Sequence, residues 1–158
     1  MPNILLTRID NRLVHGQVAT QWCGSIGANL ILVANDKVEK DTLRQGLMDM
    51  AAPSYASMRY WSLEKTINNI HKAADRQLIF IVCETPEDVL KLVEGGVPIK
   101  KVNIGNMRML EGKRRVTGSV AVDDKDVEVF KKLRELGIEL EIRRVPSEPS
   151  ENTELLFK

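Results

Sequence analysis

Cysteine and histidine are scarce in this chain of 158 residues, and their scarcity excludes two kinds of site. The two cysteines, Cys23 and Cys83, are far apart and stand among apolar residues, which is typical of free thiols in a reducing cytoplasm and not of a disulfide framework. Two histidines and two cysteines without close spacing provide no ligand set for a metal. We therefore expect a cytoplasmic protein that uses neither a metal nor another cofactor.

Excess charge and long apolar runs are missing as well. The 23 basic and 22 acidic residues leave a net charge of +1, without the basic excess that is typical of nucleic-acid binders. The longest apolar run, Leu78–Cys83, is far shorter than the roughly 20 residues that span a bilayer, and the first residues do not resemble a secretory signal. We expect no nucleic-acid partner, and any role in transport must be carried out from the soluble side.

Nucleotide-binding motifs are also absent. No Gly-x-Gly-x-x-Gly opens the first predicted helix. The glycines from Gly105 to Gly112, with Lys113 after them, have the wrong spacing for a phosphate-binding Walker loop and lack its Ser or Thr. A nucleotide-binding enzyme therefore stays a weaker hypothesis.

What the chain does contain is an alternation of short apolar runs with stretches of helical periodicity. This pattern predicts one α/β domain over residues 1–158, with a doubly wound, mainly parallel seven-stranded sheet and helices on both faces. The predicted strands are Asn3–Thr7, Asn29–Ala34, Ser57–Trp61, Gln77–Cys83, Lys101–Ile104, Val116–Val122 and Glu139–Arg144. The predicted helices are Gly16–Ser25, Asp41–Met50, Leu63–Ala73, Pro86–Glu94 and Lys125–Leu136.

Three boundaries carry their own signals. Thr85 followed by Pro86 predicts a sharp helix start, because threonine caps a helix and proline suits its first turn. Glu111–Lys113 resembles a turn between two strand-like arms, and the last residues, after a proline-rich exit, are expected on the surface.

The segment Arg8–Gln17 carries the strongest functional signal. It follows the first apolar strand and leads into a helix, so it lies at the carboxyl end of a strand, where open α/β sheets bind ligands. The imidazole of His15 can act as a nucleophile at neutral pH without a strong base. Arg12 and Arg8 are candidate clamps, because guanidinium groups match phosphate oxygens in a bidentate fork.

The neighbours of His15 have supporting roles in this hypothesis. Free backbone N–H groups at the helix start, around Gly16 and Gln17, would attract an anion, and glycine lets the backbone approach it. Asp10 would repel phosphate, so we expect it to orient Arg8, Arg12 or the imidazole. The segment therefore predicts phosphoryl transfer through His15.

Two other interpretations of the segment remain open on the residues alone. It could be a solvated polar loop whose histidine caps a helix. It could also belong to a non-catalytic regulatory module that recognises a phosphorylated partner through Arg8 and Arg12 without transferring the group.

Several residues elsewhere have a possible functional role and a simpler structural one. Gly105 and Asn106 follow a predicted central strand and are either part of the site or residues of a turn. His71 is interpreted as a boundary histidine, and Cys83 as a core residue, because a reactive thiol needs an accessible, electropositive setting. A further set of basic residues forms either a docking surface for an acidic partner or a solvated face: Lys113, Arg114, Arg115, Arg143 and Arg144.

The segment Arg8–Gln17 resembles the phosphorylation loop of enzyme IIB of the mannose/fructose/sorbose family of the bacterial sugar phosphotransferase system. Further stretches resemble this family along nearly the whole chain: Gly27–Asp36, Gly95–Pro98, Val102–Met107 and Val145–Pro146. Within the family, the N-acetylgalactosamine branch is most similar, judging from Asn69–Gln77 and Val145–Pro149.

This resemblance implies that His15 accepts a phosphoryl group from a histidine of enzyme IIA, and it favours Nδ1 over Nε2 as the nitrogen that carries the group. The group then passes to a sugar, N-acetylgalactosamine or a related hexose, delivered by the membrane components IIC and IID, so the protein would associate with the inner face of the membrane. It also implies that Arg12 clamps the phosphoryl group, and family members commonly form homodimers or larger assemblies. Asn11 departs from the acid that many members carry there, which we expect to alter docking more than chemistry.

Overall fold

A computed structural model describes residues 1–158 and contains a six-stranded parallel sheet with helices on both faces. The strands of this sheet are β1 (Asn3–Asp10), β2 (Leu30–Ala34), β3 (Ser57–Trp61), β4 (Leu78–Cys83), β5 (Lys101–Asn106) and β8 (Glu139–Ile142). Two short strands, β6 (Arg114–Arg115) and β7 (Ala121–Val122), form a separate antiparallel pair. The helices are α1 (Val18–Ile26), α2 (Thr42–Ala51), α3 (Leu63–Asn69), α4 (Pro86–Glu94) and α5 (Asp124–Glu135). The 3-10 segments are Val38–Lys40, Ile70–Lys72 and Thr153–Phe157.

The order of the strands places β1 in the middle of the sheet. The order is β3-β2-β4-β1-β5-β8, and β1 pairs in parallel with both β4 and β5. The segment that leaves the carboxyl end of β1 therefore opens at the centre of one sheet edge. Doubly wound sheets bind ligands at such edges, so the predicted site lies where this fold favours a binding site.

Each face of the sheet has its own hydrophobic core. On one face, 13 buried residues from the strands, α1 and α2 pack together, among them Leu6 and Trp22. On the other face, 25 buried residues join the strands to α3, α4, α5 and the C-terminal segment, among them Ile9 and Phe130. Because both faces are covered, β2 is buried at all five positions, as expected for a parallel strand.

Local capping accounts for several helix starts. Thr85 accepts a hydrogen bond from the N–H of Asp88 with Pro86 in the first turn, which confirms the start predicted for α4. Asp123 and Asp126 form a reciprocal capping box at the start of α5. Gly27, in the left-handed region at φ 74°, ends α1.

The predicted seventh strand, Val116–Val122, is wrong. Only Ala121–Val122 forms a strand, and it pairs with Arg114–Arg115; one isolated parallel bridge, between Val120 and Met107, links the segment to the end of β5. Val120 and Val122 are fully buried in the larger core, so their apolar character reflects packing under α5 rather than a place in the sheet. The turn at Gly112 exists, with φ 86°, but the strands before and after it do not pair with each other, so the hairpin predicted there is also wrong.

Other boundaries differ from the prediction. Helix α1 begins at Val18, two residues after Gly16, because Gly16 has a left-handed φ of 50° that a helix does not admit. The C-terminal segment is not wholly on the surface: Leu156 is fully buried, and the guanidinium of Arg134 stacks on the ring of Phe157 at 4.0 Å. No helix has both the length and the apolar character needed to cross a membrane.

Candidate active site

The loop between β1 and α1 presents His15 at the sheet edge. Leu13 and Val14 anchor the loop, with exposed fractions of 3% and 4%, in the core beneath α1. Leu13 has a positive φ of 59°, a conformation that costs a non-glycine residue about 1–3 kcal/mol. Because its buried side chain holds this conformation in place, the loop has a defined shape that leaves the His15 side chain 14% exposed.

Asp10, the last residue of β1, contacts both His15 and the backbone of Arg12. Its carboxylate is fully buried; Oδ1 accepts a hydrogen bond from the backbone N–H of Arg12 at 2.9 Å, and Oδ2 lies 2.8 Å from Nε2 of His15. Burial alone would raise the pKa of this carboxyl, but the hydrogen bond with His15, the charge of Arg8 and the Arg12 N–H hold the pKa below its usual range. An ionised carboxylate only accepts, so Nε2 is the nitrogen that donates to Asp10, and in the neutral imidazole Nδ1 then has the free lone pair.

Arg8 lies behind Asp10, and its side chain is 2% exposed. Its Nε and Nη2 donate to Oδ2 of Asp10 at 3.3 and 3.0 Å, while Nη1 donates to Oδ1 of Asn103 at 2.7 Å and to the carbonyl of Arg143 at 3.3 Å. Burial lowers the pKa of the guanidinium, and the charge of Asp10 opposes this shift. Arginine nevertheless stays a cation in proteins, so Arg8 compensates the buried carboxylate.

This geometry argues against the prediction that Arg8 is a phosphoryl clamp. Four of its five N–H donors already have protein acceptors, and the group is buried against the ring of Trp22, 5.7 Å from the ring centroid. Gly105 belongs to the same arrangement, because a Cβ at this position would overlap the Arg8 guanidinium. Arg8 is therefore bonded to Asp10 and almost wholly shielded from solvent.

Arg12 has the opposite environment. It is exposed, and its guanidinium makes no hydrogen bond or ion pair, so all its donors are available. Next to it, α1 begins at Val18 with no side-chain cap from Gln17 and no acidic residue in the first turn. The first N–H groups of α1 and the Arg12 guanidinium are thus two sets of donors without a side-chain partner, and they lie on either side of His15 in the chain.

The other predicted supporting residues act through the backbone. The carbonyl of Asn106 accepts from the N–H of Asn11 at 2.9 Å, which ties the loop to the end of β5. Gly16 and Gln17 are exposed on the loop. The side-chain Oδ1 of Asn11 is buried without a hydrogen-bond partner, and nothing in the structure explains this orphan acceptor.

Residues set aside in the sequence lie on other elements. His71 is exposed on the 3-10 turn after α3. Cys83 is buried, and burial together with the charge of Asp88 raises the pKa of its thiol well above the usual value, which suits a core residue and not a nucleophile. No group of three or more His, Cys, Asp or Glu side chains is arranged to hold a metal ion.

The basic residues considered as a docking surface are mostly engaged within the chain. Lys113 lies 2.9 Å from Asp126, and Arg144 forms two hydrogen bonds with Glu148, which raise the pKa of its guanidinium. Arg114 donates to backbone carbonyls of the C-terminal segment. These partners favour a structural role for the three cations.

Sequence reasoning missed Asn103, Trp22 and Arg143 as parts of this arrangement. Asn103 carried a usable signal, since a polar side chain between Val102 and Ile104 in a buried strand needs a buried partner. Trp22, whose indole N–H donates to the carbonyl of Arg144 at 3.1 Å, had no such signal because aromatic residues on a helix face usually indicate only packing.

Comparison with known proteins identifies relatives of this chain. The model of the family described as the PTS system sorbose subfamily IIB component matches residues 4–158. N-acetylgalactosamine-specific phosphotransferase enzyme IIB component 2 of Escherichia coli (strain K12) is 51% identical over 150 residues, which cover 95% of this chain and 96% of that protein. The crystal structure of PTS system N-acetylgalactosamine-specific IIB component 1 from Escherichia coli has a TM-score of 0.92 at 48% identity and covers 95% of this chain and 99% of that one. The PTS system mannose-specific EIIAB component of the same strain is 44% identical over 91% of this chain, which spans only 45% of its length.

Proposed function

Because the chain belongs to the sorbose subfamily of phosphotransferase-system IIB components, which relay phosphoryl groups during sugar uptake, we propose that His15 is the residue that carries the group. The observation that supports this most directly is the contact of 2.8 Å between Nε2 of His15 and Oδ2 of Asp10. It supports a neutral imidazole with its proton on Nε2, in which the Nδ1 lone pair is the nucleophile. The partial exposure of the side chain lets a donor reach it.

The proposed step conserves atoms and charge. The Nδ1 lone pair of His15 attacks the phosphorus of a phosphohistidine on the donor protein, a new N–P bond forms, and the old N–P bond breaks with its electron pair returning to the donor imidazole. The His15 ring keeps its proton on Nε2 and becomes cationic as the bond forms. Asp10 stabilises this charge, as the buried carboxylate of a serine-protease triad stabilises its imidazolium.

The phosphoryl oxygens are held by Arg12 and the start of α1 in this proposal. Arg12 is the free guanidinium on the loop, and the uncapped N–H groups from Val18 onwards add the positive end of the helix dipole. Such donors act mainly by stabilising charge on the transferring group, which is the largest contribution to catalysis of phosphoryl transfer. Arg8, Asn103 and Gly105 position Asp10 and make no contact with the phosphoryl group.

Similarity to known relatives supports our proposal for the partners and the sugar. We assign enzyme IIA as the phosphoryl donor, and the name of the EIIAB relative, which joins the two components, supports this. The acceptor is a sugar delivered by membrane components IIC and IID, with N-acetylgalactosamine first because two relatives near 50% identity carry that sugar in their names. The protein then works at the cytoplasmic face of the membrane, bound through IIC and IID and using no cofactor.

A transfer assay tests the assignment. The purified protein is incubated with phosphorylated enzyme IIA, and the product is analysed by mass spectrometry before and after brief acid treatment. We expect one phosphoryl group on His15 that acid removes, because phosphohistidine is a labile phosphoramidate. His15→Ala abolishes the signal, whereas His71→Ala, the matched variant of the only other histidine, retains it.

Membranes that contain IIC and IID extend the assay to the acceptor. Phosphate should leave His15 when N-acetylgalactosamine is added, and more slowly with mannose. Acid-stable phosphate on another residue would overturn the carrier role. Phosphorylation of His15 without discharge to any sugar would support phosphorylation but contradict the role in uptake.

A further inference from the structure

A cavity of about 270 Å³ lies away from the His15 site. It is bounded by the edge strand β3 on one side, and by α3 and the 3-10 turn that follows α3 on the other. Its buried floor consists of Leu30, Leu32, Ile70 and Ile79. Trp61 at the end of β3 contributes a half-buried aromatic wall. The cavity shares no residue with the network around Asp10.

The polar lining of this cavity is entirely neutral or positive. Arg59, Lys65 and Lys72 line it, and no acidic side chain does. None of the three forms an ion pair within the chain: Arg59 donates to the carbonyl of Met58 at 2.9 Å, Lys65 lies 5.4 Å from the centroid of the Trp61 ring, and Lys72 donates to an amide oxygen. The cavity therefore combines an apolar floor with three cations that have no carboxylate partner.

We propose that this cavity is a binding site for a small organic anion, with an apolar body on the leucine and isoleucine floor and a carboxylate against the three cations. The volume lies just below the range of about 300–1,000 Å³ for drug-sized ligands, so the ligand is a smaller molecule. A neutral ligand would forgo the charge-assisted hydrogen bonds that cations offer, and a cationic ligand would be repelled. The proposed binding uses none of the residues assigned to phosphoryl transfer, because the cavity and the His15 site share no residue.

Titration followed by NMR tests the proposal with three probes of one shape and different charge. The probes are 4-phenylbutyrate, 4-phenylbutan-1-ol and 4-phenylbutylamine. The chain has two tryptophans, so the indole N–H of Trp61 reports on the cavity and that of Trp22, held by the carbonyl of Arg144, serves as an internal control. We expect saturable shifts at Trp61 and none at Trp22, with the carboxylate bound about tenfold more tightly than the alcohol and the amine more weakly than either.

Two variants that lose the same number of positive charges distinguish binding in the cavity from general attraction of anions to the protein surface. The test variant carries Arg59→Gln, Lys65→Gln and Lys72→Gln. The control variant removes three exposed cations of α4 and α5 and carries Lys91→Gln, Lys131→Gln and Lys132→Gln. The test variant should bind 4-phenylbutyrate about tenfold more weakly and the alcohol unchanged, and the control variant should match the wild type.

Three results would overturn the proposal: no saturable shift at Trp61, equal affinity for the carboxylate and the alcohol, or equal losses in the two variants. Phosphorylation of His15 serves as the folding check, since neither variant touches the site of transfer. A test variant that transfers phosphate normally yet has lost the anion supports the proposal, and one that binds the anion as the wild type does refutes it.

Discussion

Replacing Asp10 with asparagine tests the central element of the site. The side chain keeps its shape, and its amide oxygen can still accept from Arg12. Its amide N–H₂, however, faces the donors of Arg8 and the Nε2 proton of His15, where the carboxylate accepted three hydrogen bonds. The imidazole is then favoured with its proton on Nδ1, so that the nucleophilic lone pair is occupied.

The magnitudes follow from burial. Asp10 and Arg8 are 0% and 2% exposed, and removing one partner of a buried pair costs about 3–5 kcal/mol because the other charge stays uncompensated. A domain of about 10 kcal/mol, in the middle of the usual range of about 5–15 kcal/mol, remains largely folded after such a loss. The rate of phosphoryl transfer should fall by about 10²–10⁴-fold, the range reported for loss of an oriented acid–base group.

Three measurements check this prediction. Urea denaturation gives the change in the free energy of unfolding, quenched-flow transfer from phosphorylated enzyme IIA gives the rate, and nitrogen chemical shifts of His15 give the tautomer. Asp49→Asn is the matched control, since its exposed carboxylate only accepts a hydrogen bond from Tyr60 at 2.6 Å. The reasoning is refuted if folded Asp10→Asn protein transfers phosphate at the wild-type rate with the proton on Nε2.

The difference in unfolding free energy between the wild type and Asp10→Asn should also depend on pH, in a direction set by the pKa of Asp10. The folded-state pKa of Asp10 lies below its ordinary value. Its carboxylate therefore contributes stability above the unfolded-state pKa, and that contribution is lost as pH falls through the folded-state pKa. The difference in unfolding free energy between wild type and Asp10→Asn should narrow under acid conditions.

Three further variants test separate parts of the structure. Gly105→Ala places a methyl group in the space of the Arg8 guanidinium, so we expect a loss of about 3 kcal/mol in urea denaturation and a slower transfer, whereas Gly118→Ala, with open space at its Cβ, should change neither. Arg12→Gln should slow transfer by about 10²-fold and leave the free energy of unfolding unchanged, because the exposed guanidinium has no partner within the protein. A loss of stability that accounts for the slower transfer would contradict a clamp role. Burial and neighbouring carboxylates raise the pKa of Asp88 to about 6, so Asp88→Asn should stabilise the fold at pH 7 by about 1 kcal/mol after allowance for its partial exposure, and this gain should shrink as pH falls through 6.

The sequence was most informative where short-range chemistry decides the structure. Thr85 and Pro86 predict the start of α4, and the apolar run Leu78–Cys83 predicts β4, because capping and continuous burial are visible in neighbouring residues. The prediction of a sheet strand at Val116–Val122 is wrong because residues buried under a helix and residues buried in a sheet have the same apolar pattern. Only the pairing of distant strands separates the two cases.

The site shows the same division. The sequence by itself determined that His15, Arg12 and Asp10 share one short segment at the carboxyl end of a strand, because a few residues of loop keep them close whatever the rest of the chain does. Which arginine is free was decided by the tertiary structure. Arg8 and Arg12 are both arginines within reach of His15, yet strand pairing brings Asn103 and Gly105 of β5 beside Arg8 and buries it, while Arg12 stays in solvent. Contacts across 95 residues of chain depend on strand order and register, which no local pattern contains.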